Sequence, residues 1–203
     1  MFVTTPKFIQ ALFPSLVWRK ETNNKEIWLT FDDGPDPKIT PWILSVLKKE
    51  KVSATFFLVG QQIEEFPELV GAIIKEGHTI ANHSYSHENG WLCAKEKYIA
   101  DIEKCQELMP NNQLFRPPYG KITKAQISLL KEQYKIILWD VLSWDFHQNT
   151  SPKRVQENIL KNTTAGSIIV LHNNQKSYKN LQPILEETIQ ILKKKGFKFS
   201  TTW

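Results

Sequence analysis

Apolar and polar positions change period repeatedly along this chain. Short apolar runs rich in β-branched and aromatic residues alternate with longer stretches in which apolar residues recur every three or four positions. The short runs predict strands at residues 26–31, 54–59, 79–83, 114–116, 135–139, 167–171 and 197–201. The longer stretches predict helices at 41–50, 67–76, 95–109, 123–133, 152–161 and 178–195. Such β/α alternation argues a parallel sheet, open or closed into a barrel. The chemistry-bearing residues favour the barrel. Asp32, His83, Arg116 and His172 each follow a predicted strand and Asp145 lies a few residues beyond another, and a (β/α) barrel gathers strand C-termini on one face.

The most informative segment ends the first strand. Ile27-Trp28-Leu29 runs into Thr30-Phe31-Asp32-Asp33-Gly34-Pro35, which delivers two adjacent carboxylates to a strand tip. Neighbours on a strand point to opposite faces, but a Gly-Pro turn releases the backbone, so both can face one pocket. Two close carboxylates repel, and a bound cation or a guanidinium is the usual remedy.

Both are on offer. In His83-Ser84-Tyr85-Ser86-His87 two imidazoles stand four residues apart after an apolar run. Joined to one Asp they make a two-His, one-carboxylate site with open coordination positions, as in catalytic zinc or non-haem iron centres. A pair of surface histidines is the competing reading of that spacing alone. The guanidinium stands in Phe115-Arg116-Pro117-Pro118-Tyr119-Gly120. Two prolines lack an N–H, so the first donor after them belongs to Tyr119, pre-aimed as an oxyanion hole requires. A Pro-stiffened loop with a surface Arg reads as readily from this segment by itself.

With these segments in view, the chain resembles the polysaccharide deacetylases (carbohydrate esterase family 4, the NodB homology domain), on five ordered motifs between Thr30 and His172. The unaltered Thr-Phe-Asp-Asp-Gly-Pro motif implies Asp32 as catalytic base and Asp33 as metal ligand, with His83 and His87 as the other ligands. The Arg-x-Pro-Tyr motif, Arg116 to Tyr119, implies that Arg116 holds Asp32 and that the Tyr119 N–H binds the oxyanion. An Asp-Trp motif falls on Asp145 and Phe146, and an aliphatic-x-His motif on Val170 and His172, the implied catalytic acid. Phe146 replaces the usual Trp, Val170 the usual Leu, and Asn173 follows the acid where many relatives carry Asp. Phe146 and Val170 belong to the implied acetyl pocket, so these departures bear on acyl size and sugar fit. Asp145 is placed to favour the His172 imidazolium and fix its tautomer.

The resemblance implies a distorted (β/α)7-type barrel, a divalent metal (zinc first, cobalt or nickel as alternatives) and removal of acetyl groups from N-acetylated sugars of the chitooligosaccharide or peptidoglycan type. A non-glycan amidase and a glycan-binding pseudoenzyme are the rival readings; the intact base, ligands, Arg and acid argue against the pseudoenzyme. Trp91 and Trp144 fall on loops at the catalytic face, where an indole can stack on a sugar, with rim packing as the alternative. His78 and His147 carry no assignment.

Composition narrows the class further. At 203 residues, 41% hydrophobic and 23% charged, with no repeat or Gly/Ser linker, the chain reads as one domain spanning 1–203, with 1–25 a packing segment. The net charge of +5 comes from lysines such as Lys48, Lys49, Lys51 and Lys193 to Lys195, which end predicted helices where cations suit the dipole. No basic and aromatic residues interleave as in a nucleic-acid groove, and no obligate protein partner is evident. No run approaches the roughly 20 apolar residues of a membrane span. The apolar stretch Phe8 to Trp18 is interrupted by Gln10, Pro14 and Ser15 without a cleavage site, so it reads as amphipathic rather than as a signal peptide. That points to the cytoplasm, in tension with the envelope glycans the resemblance implies, and the location stays open. Cys93 and Cys105 lie in or beside one predicted helix, about 18 Å apart and beyond disulfide reach.

Overall fold

Side chains on a strand alternate between two faces, and both faces of these strands are buried in different company. In the computed structural model, which describes residues 2–110 and 113–203, the chain runs α1 (Lys7–Leu12), β1 (Glu26–Asp32), α2 (Ile39–Glu50), β2 (Thr55–Leu58), α3 (Gly60–Glu65) and α4 (Pro67–Lys75). Next come β3 (Thr79–Asn82), α5 (Lys95–Gln106), β4 (Leu114–Phe115), a 3₁₀ turn (Pro118–Gly120), α6 (Lys124–Leu130), β5 (Lys135–Ile136) and β6 (Val141–Leu142). The last elements are α7 (Pro152–Asn162), β7 (Ile168–His172), α8 (Gln175–Leu181), α9 (Leu185–Lys194) and β8 (Lys198–Phe199).

Seven parallel strands in the order β5-β4-β3-β2-β1-β7-β6 curl as a half-barrel, and β8 adds to the start of β1. The outward residues Ile27, Leu29, Phe31, Phe56, Leu58, Ile169 and Leu171 join a core with Ile39, Ile43 and Leu47 of α2 and Ile189 of α9. The inward residues Trp28, Phe57, Ala81 and Ile168 form a second cluster, against which Trp203 packs. Its indole N–H donates to the Thr55 hydroxyl at 3.0 Å, closing the lower end of the barrel. Two-sided burial is why these strands read as apolar runs rather than as alternating patterns. Near the top of β1 and β7 the inward positions become Thr30, Asp32, Val170 and His172.

The edge strands β5 and β6 flank the open side, and residues 3–19 run along it. Val17 N–H donates to the Ile136 carbonyl, Leu138 N–H to Val17, and Leu142 N–H to Val3. Arg19 pairs with Asp140, whose carboxylate also accepts from the Ile168 N–H at 2.8 Å and the Ser167 hydroxyl at 3.0 Å.

Four details depart from the expected elements, the first being β6, a two-residue strand of the half-barrel that none of the expected runs covers. The helix expected over 178–195 is two, α8 and α9, because Pro183 has no N–H to continue the ladder. The short helices α1 and α3 occupy stretches with too few turns to show a period. The strand expected over 135–139 ends at Ile136, and its following carbonyls turn inward to a side chain described below. Both cysteines are free, Cys105 buried and Cys93 partly so. Among the described residues no helix is long and apolar enough to cross a membrane.

Phe56 is fully buried and stacks on Phe31 at 5.2 Å, whereas Leu92 is 86% exposed. Urea denaturation should show Phe56→Ala costing about 3–5 kcal/mol and Leu92→Ala within about 0.5 kcal/mol of the parent. A Phe56→Ala loss no larger than that of Leu92→Ala would contradict this packing.

Candidate active site

The site begins where β1 leaves the sheet. Asp32 is the last inward residue of β1 and is 3% exposed. Asp33 takes a left-handed backbone, φ 76°, which swings its carboxylate to the same mouth instead of the opposite face. The release from the sheet thus starts one residue before the Gly-Pro pair. Gly34 is required by a neighbour: a Cβ there would stand 2.2 Å from Asn173 Nδ2.

Arg116 follows β4 and points into the barrel, completely buried. Its Nη1 donates to Asp32 Oδ1 at 2.6 Å and to the Thr30 hydroxyl at 2.7 Å; Nε and Nη2 donate to the carbonyls of Ile137 (3.3 Å) and Leu138 (3.1 Å). The guanidinium lies 3.9 Å over the Phe57 ring. Burial lowers its pKa from the ordinary value, and the charge of Asp32 and its hydrogen bond oppose that shift.

His83 follows β3, and Ser84 and His87 both have positive φ, so the loop folds back to bring the two imidazoles to ring centroids 5.1 Å apart. Asp101 of α5 holds this loop, accepting from the Tyr85 and Ser86 N–H groups and from the Ser86 hydroxyl at 2.6 Å. Asp33 Oδ1 lies 3.5 Å from His83 Nε2 and 3.1 Å from His87 Nε2. Each Nδ1 is engaged elsewhere, His83 with the Arg116 carbonyl (2.8 Å) and His87 with the Tyr119 hydroxyl (3.1 Å). One oxygen and two nitrogens therefore converge within 4.8 Å of one another. This donor set, with both Nε2 atoms aimed at one carboxylate oxygen, fits a divalent metal ion. Burial raises the Asp33 carboxyl, but hydrogen bonds from His83 and His87 and the positive field of His172 and His83 outweigh it. The carboxyl is held well below its usual range.

Tyr119 has φ 58° within the 3₁₀ turn, is 61% exposed, and its N–H bonds to no described group. On the other side, His172 ends β7 in register with Asp32. Its Nδ1 donates to Asp145 Oδ1 at 2.7 Å and its backbone N–H to Asp145 Oδ2 at 2.7 Å. Asp145 is fully buried and accepts from the Ser143 hydroxyl at 3.0 Å, leaving His172 Nε2 for the mouth. Burial alone would lower the His172 pKa, but the charge and hydrogen bond of Asp145, with Asp33 and Asp32 beyond, lift it to about 9.

The remaining sequence candidates lie as follows. The Phe146 ring packs on His172 with centroids 4.8 Å apart, and Trp144 packs on Phe146 at 5.2 Å. Val170 is one inward step below His172 and 1% exposed, so it backs the mouth rather than opening onto it. The Trp91 indole is exposed, with its N–H tied to the Ile122 carbonyl and Lys121 Nζ 3.6 Å over the ring. The Trp144 indole N–H donates to the Phe2 carbonyl. His147 packs on Trp144, and His78 precedes β3 at the opposite end of the barrel, accepting from the Ala54 N–H. Residues not singled out from sequence also join the site: Thr30, Asp101, Ser143 and Asn174. Thr30, Asp101 and Asn174 meet partners 86, 15 and 141 positions away, whereas Ser143 stands only two residues before Asp145 and carries no motif of its own.

Comparison with known proteins agrees with this geometry. The family profile described as polysaccharide deacetylase matches residues 19–134. A peptidoglycan-N-acetylglucosamine deacetylase of Bacillus cereus is 38% identical over 186 residues, covering 88% of this chain and 67% of that protein. A second from the same organism is 34% identical over 197 residues, covering 92% and 90%. The crystal structure of the Bc1960 peptidoglycan N-acetylglucosamine deacetylase superposes with a TM-score of 0.89 at 36% identity, over 95% of this chain and 93% of that one. Both the matched motifs and the half-barrel that carries them lead to one assignment: the chain belongs to the polysaccharide deacetylase family.

Proposed function

We propose that this protein is a metal-dependent deacetylase that releases acetate from N-acetylglucosamine units of peptidoglycan-type glycan. The observation that carries the reading is the pairing of two proton-handling groups, Asp32 on Arg116 and His172 on Asp145, beside the Asp33–His83–His87 cluster. The 38% identical Bacillus cereus deacetylase supports the substrate class. A glycan-binding pseudoenzyme would have no use for an acid and a base around one metal cluster.

A divalent ion bound by Asp33, His83 and His87, zinc in our reading, would acidify a water and polarise the acetyl carbonyl. Asp32, oriented by Arg116, takes the proton as that water attacks. The Tyr119 N–H donates to the carbonyl oxygen as its negative charge develops. An amide leaving group is too basic to depart unprotonated, and His172 Nε2 supplies the proton as the C–N bond breaks. Asp145 holds the imidazole in the tautomer that presents Nε2 and stabilises its charged form. Phe146, against His172, shapes the acetyl side of the pocket, backed by Val170, and Trp91 and Trp144 form its outer rim.

Acetate release should be greatest from peptidoglycan fragments among peptidoglycan, chitooligosaccharides and acetylated xylan; release from none of the three overturns the reading. Asp32→Asn should lower turnover by about 10²–10⁴ while sparing metal content, whereas His83→Ala should lose both. Elemental analysis of each variant decides this, and loss of metal from Asp32→Asn with retention in Asp33→Asn would show the two roles exchanged.

The acid assignment has a separate signature. His172→Ala should cost more on an N-acetyl sugar than on an activated acetyl ester, whose leaving group departs without a proton, each tenfold difference being about 1.4 kcal/mol of assistance to nitrogen departure. An acid must be protonated to act, and Asp145 holds the His172 pKa above the ordinary imidazole value, so the amide rate should persist at neutral pH and fall on the alkaline side. Asp145→Asn should move the falling limb to lower pH. Equal losses on both substrates would leave His172 without the acid role.

A further inference from the structure

Asp33 has two carboxylate oxygens, and only one faces the imidazoles. Oδ1 lies 3.1 Å from His87 Nε2 and 3.5 Å from His83 Nε2, while Oδ2 accepts from Asn174 Nδ2 at 2.6 Å. The orientation of the Asn174 amide is fixed independently of Asp33. Its other terminal atom is met by the Ser177 N–H at 3.0 Å and the Ser177 hydroxyl at 3.2 Å. A backbone N–H only donates, so that atom is the oxygen and the NH₂ must face Asp33. Asn174 thus does two jobs: it caps the start of α8, and it donates a short, charge-assisted hydrogen bond to a carboxylate in the mouth of the barrel.

A carboxylate can hold a cation through one oxygen or through both. Resting on the metal-dependent reading above, we infer that Asn174 is a positioning residue that keeps Asp33 a one-oxygen ligand, reserving a coordination position for water or for the acetyl oxygen. For Oδ2 to swing inward, the bond to Asn174 must break. The arrangement completes a pattern already present for the imidazoles, whose Nδ1 atoms are tied to the Arg116 carbonyl and the Tyr119 hydroxyl. Such outer partners orient ligands and tune their strength. Asn174 also stands two residues after His172, so one short segment sets both the proton donor and the carboxylate ligand.

The cap and the donor are separable by substitution. Asn174→Ser keeps an oxygen able to cap α8 but is too short to reach Asp33; Asn174→Asp is isosteric and can cap but cannot donate. Ser177→Ala keeps the Asn174 donor and removes one anchor of its oxygen. Chelator competition should show Asn174→Ser retaining zinc roughly 10- to 100-fold more weakly than wild type. The visible spectrum of the cobalt-loaded protein should change in Asn174→Ser and Asn174→Asp, because the oxygen donors around the ion change. Ser177→Ala should match wild type in both readouts. Wild-type affinity and cobalt spectrum in Asn174→Ser, or an equal loss in Ser177→Ala, would overturn the inference while leaving the metal site intact. A wild-type protein that binds neither zinc nor cobalt would overturn the metal reading and, with it, this one.

Discussion

The buried pair of Arg116 and Asp32 is the interaction on which the site is built. A guanidinium with no exposure to water is tolerable only if its charge and its N–H groups are met, and here a carboxylate, a hydroxyl and two carbonyls meet them over the face of Phe57. Those partners come from β1 and from the segment after β5, which the N-terminal stretch in turn holds through Val17. Removing either member of such a pair leaves an uncompensated buried charge, at a cost of about 3–5 kcal/mol. The loop after β4, which carries Arg116, then reaches the Asp33–His83–His87 cluster twice, through the Arg116 carbonyl on His83 and the Tyr119 hydroxyl on His87. One loop thus positions Asp32, His83 and His87 together, and a shift of Arg116 would disturb all three.

The backbone bears this out. Six described non-glycine residues have positive φ, and five of them, Asp33, Ser84, His87, Tyr119 and Trp144, stand in the strand-end loops around the site. Left-handed conformations cost L-residues roughly 1–2 kcal/mol each, so a cluster of them persists only where surrounding contacts over-determine the loops. Asp101 is one such contact, pinning the loop between the two histidines to α5. The strain serves the chemistry: without it Asp33 would continue the strand alternation and face away from Asp32.

Much of this was legible in the sequence, for identifiable reasons. Strands buried on both faces announce themselves as apolar runs, and Asp32, Asp33, His83, His87, Arg116, Tyr119, Asp145 and His172 lie in short motifs at strand ends, where local spacing carries the signal. What was not legible depends on tertiary proximity. Asn174 reaches Asp33 across 141 positions, and Asp101 reaches Ser86 across 15 positions from the middle of a helix with no motif around it. The left-handed turn at Asp33 was hidden because Gly34 and Pro35 look like the whole turn. Pro183, by contrast, was in plain view, and the strong helical period on either side of it masked the break between α8 and α9.

The central claim is that Asp32 removes a proton from the attacking water and does not itself bond to the acyl carbon. A carboxylate this close to the reacting centre has both options, and an acetyl-aspartyl anhydride opened by water at the aspartyl carbon would differ from direct water attack in the origin of one acetate oxygen. A single turnover in ¹⁸O-enriched water, with enzyme in excess over an N-acetylated peptidoglycan fragment, separates them. General-base attack predicts acetate carrying one ¹⁸O from the first turnover and no label in Asp32. Unlabelled first-turnover acetate, with ¹⁸O appearing in the Asp32 side chain, would contradict the account.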